Sequence, residues 1–228
     1  MDRRKLLLPL CLSSLLVVAG QGAVSFTGAE INQTFTGYDG SVGPVGWTAD
    51  GFSSGGFEPR GSSTGGVTTG GTYAFDIGGG NIALGVQPGG SDFTPGHYGL
   101  EITNDSGITV SAWNVAFDGF FLNDQGRANS LSLGYSTDGV NFSLVGGGSF
   151  TSLEGADPLG WTVGVNYSGV ISAPVADGSS LFLRWTGADE SGSGSRDEFA
   201  IDNVSVIPEP STALLGGLAL LGLLRRRR

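Results

Sequence analysis

The sequence predicts an all-β fold: an antiparallel β-sandwich of jelly-roll type, flanked by a signal peptide and a short C-terminal transmembrane helix. One observation is a period-two alternation of large and small or polar side chains, repeated in roughly nine or ten segments along the middle of the chain. Another is composition. Of 228 residues, 42 are Gly, and each Gly raises the entropic cost of ordering a helix, so short strands and many turns are favoured. The last is that basic residues cluster beside an apolar run at each end, while the middle is acidic.

At the N-terminus, Arg3, Arg4 and Lys5 precede a largely apolar run over residues 6–18, interrupted by Ser13 and Ser14. Val17, Val18 and Ala19 then supply residues tolerated before a cleavage point. This three-part pattern reads as a secretory signal peptide over residues 1–19. Cys11 is the only cysteine and lies inside it, so the exported part carries no disulfide in any redox compartment.

Residues 24–207 are the expected sandwich domain. Its first part, to residue 70, is weakly patterned, with Phe35, Tyr38, Trp47, Phe52 and Phe57 scattered among glycines. The Gly-rich stretch 61–71 lacks the Lys and Ser/Thr ending of a phosphate-cradling loop and reads as a surface loop. Strand signals strengthen at 72–77, 82–86, 98–102, 108–117, 131–135, 140–144, 161–167, 180–185 and 199–206. In 108–117, Trp113, Val115 and Phe117 share one face, and Ile108 and Val110 the other. Asp138-Gly139 marks a hairpin. With strands alone to pack, two antiparallel sheets are the layer solution, and the many strands and uneven loops favour a jelly roll.

From residue 20 to 207 the chain holds four basic residues, Arg60, Arg127, Arg184 and Arg196, against 19 acidic ones, a formal charge of −15. Such a body repels phosphates and anionic lipid, so nucleic acid is not an expected partner. Glycine follows no three-residue period, which excludes collagen.

Catalytic constellations are hard to find. His97 is the only histidine, follows Thr94-Pro95-Gly96, and reads as an ordinary loop residue. No Ser is expected in a Gly-x-Ser-x-Gly elbow. Among 19 acidic residues some pair falls at a glycosidase separation by chance, so none is nominated. In the acidic run 189–198, Asp189, Glu190, Asp197 and Glu198 are oxygen donors suited to Ca²⁺. The spacing does not match a twelve-residue calcium loop, and a solvated linker between strands is the other reading. No other cofactor is expected. Trp113, Trp161 and Trp185 are expected in the core. Trp47 is either a packed loop anchor or a platform for stacking a sugar ring. Asp202 is expected to hydrogen-bond a neighbouring loop.

The C-terminus reads Pro208-Glu209-Pro210, then a Leu/Gly-rich run of 12 residues, 213–224, then Arg225, Arg226, Arg227 and Arg228. As a helix the run rises about 18 Å, against a hydrocarbon core of roughly 30 Å. It is expected to insert only with thinning or snorkelling, its arginines held on the cytoplasmic side, and to act as a temporary stop for an exported chain. The segment 208–228 resembles the PEP-CTERM sorting domain of Gram-negative bacteria. That resemblance implies cleavage by an exosortase after signal peptidase has acted. It also implies an inner-membrane precursor and a final place at the cell surface or outside the cell. Hosts of this system usually make exopolysaccharide, which becomes a candidate partner. Residues 128–139, 181–185 and 199–206 are similar to extracellular bacterial jelly-roll modules, whose last strand carries an Ile-Asp-Asn/Asp-Val/Phe pattern and many of which bind sugars. The expectation is an exported surface or extracellular-matrix protein, a non-catalytic structural or carbohydrate-associated module. The alternative is a secreted polysaccharide hydrolase using an Asp/Glu pair.

Overall fold

The structure, a computed structural model, describes residues 22–209. The expected signal peptide, Pro210 and the terminal arginines lie outside the described residues. One sheet runs β1 (Val24–Phe26), β7 (Gly96–Asn104), β12 (Ser180–Gly192), β9 (Arg127–Ser136) and β10 (Ser143–Thr151), with β3 (Trp47–Asp50) also on β7. The facing sheet runs β11 (Trp161–Ile171), β8 (Trp113–Leu122), β13 (Glu198–Pro208), β6 (Ile82–Gln87), β5 (Gly71–Asp76) and β4 (Pro59–Ser63), with β2 (Ile31–Gln33) also on β13.

The pairing is nested. β9 pairs with β10, β8 with β11, β7 with β12 and β6 with β13, each antiparallel. The ribbon then rolls, so that β12 also pairs with β9 and β13 with β8. That nesting is the topology of a jelly roll.

One part of the expected architecture is corrected. The described residues contain no helix, and so none long and apolar enough to cross a membrane. The run 213–224, expected to form a transmembrane helix, lies outside the described residues, and the architecture is a sandwich without that helix.

Alternation builds the core. Along β12, Leu181, Leu183 and Trp185 point between the sheets, while Phe182, Arg184 and Thr186 face outward. β8 does the same with Trp113, Val115 and Phe117. Trp185 meets Trp47 at a centroid distance of 5.3 Å and Phe117 edge-on at 5.5 Å. A smaller cluster of Tyr73, Phe75, Ala83 and Ala200 packs separately, with Trp161 half-buried against it. Trp161 thus packs at the edge of this smaller core, where a core position was expected.

Two boundaries differ from expectation for clear reasons. The strand expected from residue 108 begins at Trp113. Ahead of it, Asn104 Nδ2 donates to the carbonyls of Ile108 and Val175, which ties the segment into a loop and leaves Ile108 66% exposed. β1 to β4 lie in the weakly patterned region and are three to five residues long, too short for period two to show.

In β13, Asn203 has φ +52°, within a register break between Asp202 and Ser205 against β8. Residues before the break pair with β6 and those after it with β2. The Ile-Asp-Asn-Val string thus encodes a bulge, with Asn tolerating the left-handed conformation.

Candidate functional site

The outward face of the first sheet carries a groove of about 290 Å³. β7 presents His97, Gly99 and Glu101 to it, and β12 presents Phe182 and Arg184. Register sets the layout. Arg184 lies across from Gly99 on one side and Gly134 on the other, and Phe182 lies across from Glu101. The turn after β9 closes one wall, bringing the Arg184 guanidinium 3.7 Å from the Phe142 ring centroid.

That turn is held by Asp138. Its carboxylate accepts from the backbone N–H of Val140 and Asn141, both at 2.8 Å, and from Asn141 Nδ2. These bonds, the Asn141 side chain first, hold its carboxyl well below the usual carboxylate range. Gly139 has φ +72°, and a Cβ there would stand 3.3 Å from the Phe182 ring. Gly99 is needed for space, because a Cβ would lie 2.5 Å from Thr48 Oγ1.

Arg184 is electrostatically singular. Arg60 pairs with Glu58, and Arg127 and Arg196 both pair with Asp189. Arg184 makes no ion pair among the described residues, and its Nε is buried without a hydrogen-bond partner. Burial, and then the Arg184 cation, lower the His97 pKa against an opposing pull from Asp50. The imidazole is therefore neutral at pH 7 and offers one donor and one acceptor. The groove thus combines aromatic rings, a cation, a neutral imidazole and one carboxylate, Glu101.

The residues nominated from sequence fare differently. Trp47 is 1% exposed, sits in β3, and stacks on Trp185 inside the sandwich. Its ring faces no solvent, so the sugar-platform reading is corrected to a core anchor. The acidic run 189–198 is split by the fold. β12 continues through Gly192, so Asp189 and Glu190 are strand residues. Arg196 grips Asp189 bidentately at 2.7 Å, with Arg127 at 3.0 Å, and the Arg196 bonds lead in lowering the Asp189 pKa. Two guanidiniums on one carboxylate leave no excess negative charge for a cation. Glu190 accepts from Ser130 Oγ.

Asp197 and Glu198 point elsewhere, to the Gln125 and Val67 backbone N–H groups. Both are fully buried, and Asp124 Oδ1, Asp197 Oδ2 and Glu198 Oε2 lack partners. Burial, then the charge of Asp124, pushes the Glu198 carboxyl up to about 8. Protonated at neutral pH, it removes one of two neighbouring charges that would repel. The four proposed calcium ligands do not converge. Among the described residues no group of three or more His, Cys, Asp or Glu side chains could hold a metal ion.

Two Gly-x-Ser-x-Gly strings do occur, over residues 51–55 and 61–65. No helix follows either, so neither forms a nucleophile elbow. Ser53 Oγ donates to Glu58, and Ser63 Oγ accepts from the Gly65 N–H.

Sequence reasoning missed the groove. His97 reads as a loop residue because Pro95 and Gly96 precede it. Yet the alternation of β7 extends back to Gly96 and places it on the same outward face as Glu101.

β13 closes with Pro208, followed by Glu209, whose N–H donates to the Ala112 carbonyl. The model of the PEP-CTERM protein-sorting motif matches residues 206–228. The chain carries a PEP-CTERM sorting motif. The motif begins inside the last strand, so the sandwich runs directly into the sorting segment. No curated protein matches the chain.

Solved structures with similar folds include a carbohydrate-binding module in complex with β-1,4-galactotriose. It is 11% identical, with 78% of this chain and 95% of that chain covered and a TM-score of 0.41. A xylan-binding domain from Paenibacillus barcinonensis is 13% identical, covering 82% and 97%, with a TM-score of 0.43. An adhesin domain of Lys-gingipain from Porphyromonas gingivalis is 10% identical, covering 80% and 100%, with a TM-score of 0.43. At these scores the fold rests on this chain's own strand pairing.

Proposed function

We propose that this protein is an exported, exosortase-sorted module of the cell surface or extracellular matrix, non-catalytic, that holds a glycan in the groove on its β7–β12 face. The groove carries the reading. Phe182 and Phe142 supply apolar surface for the C–H face of a sugar ring, while His97, Glu101 and Arg184 supply hydrogen-bonding groups for its polar edge. This mix of apolar wall and few convergent polar groups is the usual make-up of a ligand site, and the volume is near the lower end of about 300–1,000 Å³. The hydrolase alternative needs two reachable carboxylates on either side of a glycosidic bond. Glu101 is the one carboxylate lining the groove, and Glu198 and its neighbour Asp197 are buried.

The finer course of sorting belongs to the same reading. The signal peptide over residues 1–19 is removed on export. The precursor waits at the inner membrane until an exosortase cuts near Pro208, Glu209 and Pro210. The mature module then meets the host's exopolysaccharide.

A glycan array and a reducing-end release assay on that exopolysaccharide test the reading together. Saturable binding without product supports it. Product release abolished by one carboxylate substitution contradicts it.

A further inference from the structure

We propose that the groove is built for an acidic glycan, a polysaccharide with uronic-acid residues, and that Arg184 receives the sugar carboxylate. This rests on the glycan-binding reading above and narrows it to a chemical class.

Cations are scarce in the body of the chain. From residue 20 to 207 there are four cations against 19 acids, so every cation has carboxylates to choose from. Three of the four take one. The fourth stands in the groove with no ion pair among the described residues and a buried, partnerless Nε. Among the described residues, the one guanidinium without a carboxylate is the one left to take a ligand's.

The surroundings keep the guanidinium in place and uncovered. Phe142 supports its face, which fixes the plane of its donor fork. Gly99 and Gly134, its two cross-strand neighbours, put no side chain beside it. A planar fork with fixed orientation matches a planar carboxylate better than a point charge does.

The other groove residues decide what carries the carboxylate. Phe182 lies next along β12 on the same outward face, offering a ring to an apolar sugar face. Glu101, opposite Phe182, accepts hydroxyl hydrogens and repels a second nearby anion. His97 accepts or donates as a neutral ring. A ligand that satisfies all four has one carboxylate, hydroxyls and an apolar ring face within a short span. Densely charged polyanions place further negative groups against Glu101 and against a body of net negative charge.

The test uses the exported protein and two probes of the same shape: an oligosaccharide with a single uronic-acid residue and the same oligosaccharide as its methyl ester, which lacks the charge. Isothermal titration of wild type should show the acid bound at least about tenfold tighter than the ester, the scale of one charge-assisted hydrogen-bond pair. Arg184→Gln should weaken the acid at least about tenfold and abolish its preference over the ester, with the melting temperature showing that the variant is folded. Phe182→Ala should weaken both probes alike. Equal affinity for acid and ester, unchanged in Arg184→Gln, overturns the acidic-glycan inference and leaves the glycan-binding reading standing. Tighter binding of a heavily sulfated oligosaccharide than of the uronate overturns the carboxylate assignment. If neither probe, nor any neutral glycan on the array, binds wild type, the parent reading falls with it.

Discussion

Asn203 shows how one residue can set a strand's partners. It sits at φ +52°, and its Nδ2 donates to Asp118 Oδ2 at 2.8 Å. For a residue with a Cβ the left-handed region costs roughly 1–2 kcal/mol. Asn offsets part of that with its side-chain bond, and Gly avoids it. Asn203→Ala should therefore destabilise the sandwich by about 1–2 kcal/mol, and Asn203→Gly should cost less, both read from chemical denaturation midpoints. If Ala proves as stable as Gly there, the backbone account of the bulge is wrong. Trp47 gives the complementary lesson. A Trp among glycines and prolines carries no local sign of which side it faces. The four-residue strand β3, invisible to a periodicity argument, turns it into the core.

At the scale of elements, the start of β13 holds buried carboxyl groups, and these set a pH response. Glu198 titrates near 8 in the folded state against an ordinary value of 4.5. Asp197 and Asp202 are raised as well, each chiefly by burial. Between the unfolded and folded values the native state holds the extra proton, so this contribution to stability is full at acidic pH and is lost as pH rises through about 8. Asp189 works in the opposite sense, since its carboxyl is lowered. Its contribution is present above the unfolded value near 3.8 and is lost on further acidification. Stability should therefore be higher at pH 5 than at pH 8.5, and Glu198→Gln, which stays uncharged, should remove most of the difference. Thermal melts across that range test it. A wild-type melting temperature that rises from pH 5 to 8.5 contradicts the assignment.

The long strands were legible where they alternate over five or more residues with one face in the core: β7, β8 and β12 all show it. What the sequence hides is pairing across distance. The acidic run 189–198 looks continuous, yet β12 carries its first residues to Arg127, Arg196 and Ser130, while the entry into β13 takes Asp197 and Glu198 to Gln125 and Val67. The groove is hidden for the same reason. His97, Phe142 and Arg184 lie far apart in the chain and become neighbours only through the β7–β12–β9 register. The sorting motif, by contrast, is local in sequence and was legible from its three ordered parts.

On the scale of the whole molecule, a nested sandwich joins a groove on one sheet to a sorting motif at the end of the last strand. The motif starts at residue 206, two residues inside β13, which ends at Pro208. Cleavage beyond Pro208 leaves the last strand whole. Intact-mass analysis of the extracellular form should give a chain that begins near Gly20 and lacks Arg225, Arg226, Arg227 and Arg228. A mature form that keeps all four arginines contradicts the sorting account. The central claim is the groove, and its most direct test is calorimetric titration of the host's exopolysaccharide into wild type and into the Phe142→Ala, Phe182→Ala double variant. The account predicts saturable binding by wild type and at least about tenfold weaker binding by the variant, with both chains folded. Equal binding by the two would place the ligand elsewhere and contradict it.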